Sequence, residues 1–133
     1  MDRFQKQIIL AQQERARMTA ADTFIAHGLT EPQLAQLRKI FGSEPAIALA
    51  AIARKQVAYF PNSPCFAVAL TIQASWWKPR SQKTNRGIVR RVLKQLSLPG
   101  HFLVFVKEKN LKSLGAEVFT VPGAVVFERQ LEN

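Results

Sequence analysis

Apolar positions recur at helical spacing in the first third of the chain and at alternate positions after Pro45, and this change of period predicts the order of elements. Over 2–26, Phe4, Ile8, Ala11 and Met18 fall near one stripe, with Arg3, Lys6, Arg15 and Arg17 elsewhere. That spacing predicts a basic N-terminal helix with a thin apolar face, stopped before Gly28. A second helix starts with Thr30 as a cap and Pro32 in the first turn. It carries Leu34, Leu37, Ile40 and Phe41 on one face and ends at Gly42. The pattern then becomes extended. Ile47, Leu49 and Ala51 alternate within 46–59, and Phe66, Val68, Leu70 and Ile72 alternate with Ala67, Ala69, Thr71 and Gln73 within 65–74. The turn-forming run Phe60–Pro64 between them predicts an antiparallel hairpin.

Residues 76–85 read as a loop, followed by a helix over 84–96. Ile88, Val89, Val92, Leu93 and Leu96 fall in one arc of that helix, and Lys83, Arg86, Arg90, Arg91 and Lys94 in the other. Leu98-Pro99-Gly100 breaks the helix, and His101–Val106 (HFLVFV) reads as a short buried strand, central in the sheet like 66–72. One helical turn over 110–115, stopped by Gly115, is expected next, then extended pieces at 117–121 and 124–128 around Pro122-Gly123. The order predicts an α+β two-layer sandwich: a small, mostly antiparallel sheet with helices packed on it, and an N-terminal helix besides. It divides into 1–28, the basic helix, and 29–133, one α+β domain.

From about 29 to 129 the chain resembles the C-terminal domain of the bacterial SseB (enhanced serine sensitivity) family. The resemblance rests on LTEPQLAQLRKIF, EPAIALAAIA, CFAVALTI, HFLVFV and the closing GAVVFER, with its aromatic, acid and arginine at Phe127, Glu128 and Arg129. It implies a non-enzymatic α/β module. The chain departs from the family's pattern in its basic N-terminal helix and in the cationic stretch 75–96.

Charge alters this picture in one place. The chain of 133 residues carries a formal net charge of +10, and between Glu44 and Glu108 there is no acid at all. The basic residues of that interval are Arg54, Lys55, Lys78, Arg80, Lys83, Arg86, Arg90, Arg91, Lys94 and Lys107. The nine basic residues outside it are matched by the nine acids, so the whole excess lies in mid-chain. Ordinary surfaces intersperse both signs, which makes a one-sign face a candidate site for an anionic partner. The candidate residues are Trp76, Trp77, Lys78, Arg80, Lys83, Arg86, Arg90, Arg91 and Lys94. Against nucleic acid the cations would hold phosphates and a tryptophan would stack on a base. Against an acidic protein the tryptophans would be buried anchors within a charged rim. Strand alternation would send Trp76 and Trp77 to opposite faces and leave one available.

Other chemistry is sparse. Cys65 is the single cysteine, so no intramolecular disulfide or multi-cysteine metal site is expected and the setting reads as reducing and cytoplasmic. His27 and His101 lack carboxylate or cysteine neighbours at ligand spacing. The loop 78–85 has none of the glycines of a phosphate-binding loop. The expectation is therefore a non-catalytic binding module without cofactor or metal, engaging an acidic protein or, alternatively, nucleic acid without sequence preference. A homodimer through the N-terminal helix is a further expectation. No run reaches the ~20 apolar residues of a membrane-spanning helix.

Overall fold

The computed structural model describes residues 2–73, 82–108 and 111–129, with the side chains of 82–84 left aside. Its elements are α1 (Arg3–Ala16), β1 (Phe24–Ala26), α2 (Glu31–Gly42), β2 (Ile47–Lys55), β3 (Cys65–Ile72), α3 (Gln82–Gln95), β4 (His101–Val106), α4 (Lys112–Phe119) and β5 (Val125–Glu128). The fold is α+β with a mostly antiparallel five-stranded sheet and an N-terminal helix.

The hairpin of β2 and β3 is the centre of the sheet, in register from Lys55 opposite Cys65 to Leu49 opposite Thr71, with a shift of register before Ile47 meets Ile72. Both strands are buried on both faces because alternation supplies two different apolar sets. Ile52, Phe66, Val68, Leu70 and Ile72 meet Leu34, Leu37 and Phe41 of α2, Ile88 and Val92 of α3, and Leu96 just after it. The opposite face offers Ala51, Ala53, Ala67 and Ala69, whose small side chains let α4 approach closely through Leu114 and Val118. One face thus holds the large-residue core and the other a shallow alanine floor.

β1 and β5 share the far edge of β2. Phe24–Ala26 lies opposite Ala53–Lys55, and Val125–Glu128 opposite Leu49–Ala51. β4 lies on the other side, parallel to β3, with α3 making the crossover that parallel strands need. Among the described strands the run HFLVFV is therefore at an edge and not central. Its apolarity has another cause: Phe102, Val104 and Val106 pack under α3, while Phe105 joins the alanine face.

Two helical expectations change. The N-terminal helix stops at Ala16, where the chain turns through a Thr19 N–H bond to the Asp22 carboxylate and enters the sheet as β1, so the segment before Gly28 is part of the sheet. Toward the C-terminus, 112–119 is a helix running straight through Gly115, in place of a stopped turn and a strand. Gly115 is there for space: a Cβ would lie 2.4 Å from Lys107 Cγ and 2.8 Å from its Cβ. Elsewhere the local chemistry operates as expected. Thr30 and Gln33 form a reciprocal capping box at α2, and Gly28, at φ 69°, makes the turn into it.

α1 is attached by polar groups more than by its apolar stripe. Arg15 donates to the carbonyls of Phe60 and Ser63, and the Glu14 carboxylate accepts from the N–H groups of Ala58 and Tyr59. Phe4 meets Phe60 edge-on, yet Phe4, Ile8, Ile9 and Leu10 all remain largely exposed. No described helix is long and apolar enough to cross a membrane.

Candidate functional site

α3 carries the described part of the cationic face. Its inward residues Ile88, Val92 and Leu96 are buried, which turns Arg86, Arg90, Arg91 and Lys94 outward and leaves them exposed. Trp76, Trp77, Lys78 and Arg80 lie outside the described residues, and Lys83 is placed only as a backbone position on α3. Leu93 departs from the expected arc. It is 43% exposed, standing beside β4 at the sheet margin instead of entering the core.

Several mid-chain cations have partners within the chain. Arg91 forms a two-point pair with Glu44, Nε to Oε2 at 2.9 Å and Nη2 to Oε1 at 2.8 Å, tying α3 to the α2–β2 turn. Lys55, at 6% exposure, extends along the alanine face and gives its ammonium to the carbonyls of Glu14 and Arg17 and to Asp22, 3.6 Å away. Arg54 donates to the Pro61 carbonyl, and the Lys107 ammonium sits 5.2 Å from the centre of the Phe119 ring. The positive interval of sequence is therefore divided in space. Arg86, Arg90 and Lys94 stay free of any ion pair among the described residues, one turn apart on one helix face.

Arg86 and Arg90 border an open groove of about 440 Å³ between α3 and the outer edge of β4. Val89, Leu93, Val104 and Val106 give it an apolar floor, and Glu108 and Leu111 close one end. Asn85 lies beneath that end at 5% exposure. Its Nδ2 donates to Glu108 Oε1 at 2.7 Å, while its Oδ1 has no hydrogen-bond partner among the described residues. A buried amide oxygen without a donor is costly unless something supplies one. The cations were legible in the sequence, but the groove was not. Its signals were Leu93, outermost in the apolar arc, and Asn85, a polar residue one turn before Ile88 and Val89.

Cys65 is fully buried in β3, where burial pushes its thiol pKa up and makes the thiolate less accessible. His27 Nδ1 accepts from the Leu29 N–H in the turn before α2, and His101 is exposed at the start of β4. Among the described residues no three His, Cys, Asp or Glu side chains converge as metal ligands.

No family model matches the chain, and no curated protein matches its sequence.

The Glu44–Arg91 pair has a testable pH signature. The Arg91 hydrogen bonds hold the Glu44 carboxyl below the usual carboxylate range. A depressed folded-state pKa adds stability that is present above the unfolded-state value and is lost as pH falls through the folded one. Wild type should therefore lose stability more steeply than Glu44→Gln between about pH 5 and pH 3. Urea midpoints across that range measure the difference, and parallel curves would contradict it.

Proposed function

We propose that the chain is a non-catalytic binding module that engages an acidic protein partner through the outward face of α3. The observation that carries this reading is the pairing of an unneutralised arginine row with an apolar groove beside it. A phosphate backbone would answer Arg86, Arg90 and Lys94 but leave the Val89, Leu93 and Val104 floor unfilled. An acidic protein segment supplies carboxylates for the rim and apolar side chains for the floor, the usual division between the edge and centre of a protein interface. The fold resemblance of 29–129 to the SseB C-terminal domain belongs to the same proposal, as does the cytoplasmic setting drawn from the lone, buried Cys65.

The net charge of +10 favours a second reading, nucleic-acid binding without sequence preference through the same helix face. Salt titration separates the two. Phosphate contacts released with counterions would make RNA affinity fall steeply with salt, whereas a groove-seated acidic segment keeps part of its affinity. The expected result for Arg86→Glu combined with Arg90→Glu is a loss of acidic-peptide affinity of about tenfold or more, or about 1.4 kcal/mol. The melting temperature should change by no more than a few degrees, because both side chains are exposed and free of ion pairs among the described residues. RNA binding that outcompetes acidic peptides at moderate salt would favour the second reading.

A further inference from the structure

Resting on that reading, we infer that the partner's acidic segment binds in extended form, adding a strand to the outer edge of β4 with half of its side chains in the α3 groove. β4 pairs with β3 on one side, and no described strand pairs with it on the other. The direction of its backbone groups follows from two bonds: the N–H groups of His101 and Lys107 donate to Pro64 and Leu70, toward β3. Strand backbones alternate, so the N–H and C=O groups of Phe102 and Val104 point outward. The Val106 carbonyl is taken by the Glu108 N–H, which ends the available edge there.

Exposed edges are normally blunted by charge, proline or a bulge. HFLVFV has no charged residue and no proline, and its pairing with β3 is regular from His101 to Val106. Both flanks of the edge carry apolar side chains, Leu93 on the α3 side and Leu103, also exposed, on the other. An added strand would place alternate side chains on each.

Charge selects the occupant. A second copy of this chain would bring Arg86 and Arg90 against their counterparts on a molecule of the same +10 charge. An acidic segment meets them favourably. The chemistry is an extended peptide in which both alternate sets mix aliphatic side chains with Asp or Glu.

The test uses the full chain and a peptide of about twelve residues repeating Leu-Val-Glu-Glu, followed by amide hydrogen exchange. A second peptide of the same sequence, methylated at every backbone nitrogen, keeps the charges but cannot pair as a strand. The unmethylated peptide should slow exchange of the Phe102 and Val104 amides by about tenfold or more, and the methylated one should not. Leu93→Glu should abolish the slowing while leaving the fold intact. Equal binding of both peptides, with shifts at Arg86 and Arg90 and no slowing at Phe102 and Val104, would overturn strand addition and leave the basic-face reading standing. Failure of both peptides at low salt, with RNA binding retained, would overturn both. A dimer in which those two amides are already protected without peptide would assign the edge to a second copy and overturn the inference as well.

Discussion

Arg129→Ala is expected to lower the free energy of unfolding by roughly 2–3 kcal/mol, and Arg129→Lys to recover less than half of that. Arg129 follows β5, and its guanidinium gathers carbonyls at the end of α2, in the following turn and at the start of β2. Nε donates to Ile47 O at 2.9 Å, and Nη2 to Glu44 O at 2.9 Å, with longer approaches to Gly42 O at 3.3 Å and Phe41 O at 3.5 Å. The last carbonyls of a helix have no partner inside it, and a cation there also meets the negative end of the helix dipole. The guanidinium centre lies 5.3 Å from the middle of the Phe127 ring, which itself packs on Phe41. One side chain therefore joins the end of α2, the start of β2 and the last strand. A lysine supplies the charge but not a planar fork that reaches several carbonyls at once. Urea denaturation of the three proteins measures the effect, and an Arg129→Ala midpoint equal to wild type would mean that water satisfies those carbonyls equally well.

The same geometry explains the ending Phe127-Glu128-Arg129. It is a structural clamp, with an aromatic on the core, a solvent-facing acid and a cation on a helix end. The electrostatics of the chain show how far a linear reading reaches. Net charge is additive, so the excess between Glu44 and Glu108 was evident, and α3 does present arginines outward. Pairing depends on distance through space, so nothing local revealed that Arg91 closes on Glu44, 47 residues away, or that Lys55 is spent on the end of α1. Of the nine candidates, Arg86, Arg90 and Lys94 are free of ion pairs among the described residues, Arg91 is paired with Glu44, and five lie outside the described residues or are placed only by backbone.

The strands were legible where alternation had contrast. Phe66, Val68, Leu70 and Ile72 against Ala67 and Ala69 gave both the strand and its two faces, although the alanines turned out to be as buried as the large residues. β1 was hidden because three residues hold too little periodicity to register. α4 was hidden because EVFTV favours extended structure by composition and Gly115 reads as a stop. Packing on the alanine floor overrides both, and the glycine serves Lys107 instead. The position of β4 was not encoded in HFLVFV at all. A strand covered by a helix on one face and flanked by apolar residues on the other has the same local pattern in the middle of a sheet or at its edge.

Lys55→Met is expected to destabilise the full chain by about 2–4 kcal/mol, yet to cost far less in a chain lacking residues 2–20. Lys55 continues the face of Ala51 and Ala53 to the end of β2, where its buried ammonium serves the carbonyls of Glu14 and Arg17 at the C-terminal end of α1 and faces Asp22. Methionine matches its stem in length but leaves those carbonyls and the carboxylate turned toward an apolar end. The apolar stripe of α1 cannot compensate, since Ala11 is its one buried residue. Loss of Lys55 should thus release α1, seen as fast proteolysis and fast amide exchange over 3–16, while the β2–β3 hairpin stays protected. Deleting 2–20 removes the same carbonyls and lets water reach Lys55 at the strand end, so the shortened chain should remain folded and tolerate Lys55→Met. The interaction energy from this double-mutant cycle isolates the clamp from any general effect of the substitution. Equal costs in the long and short chains would place the role of Lys55 inside the sheet, and an unfolded 2–20 deletion would show that α1 belongs to the main core.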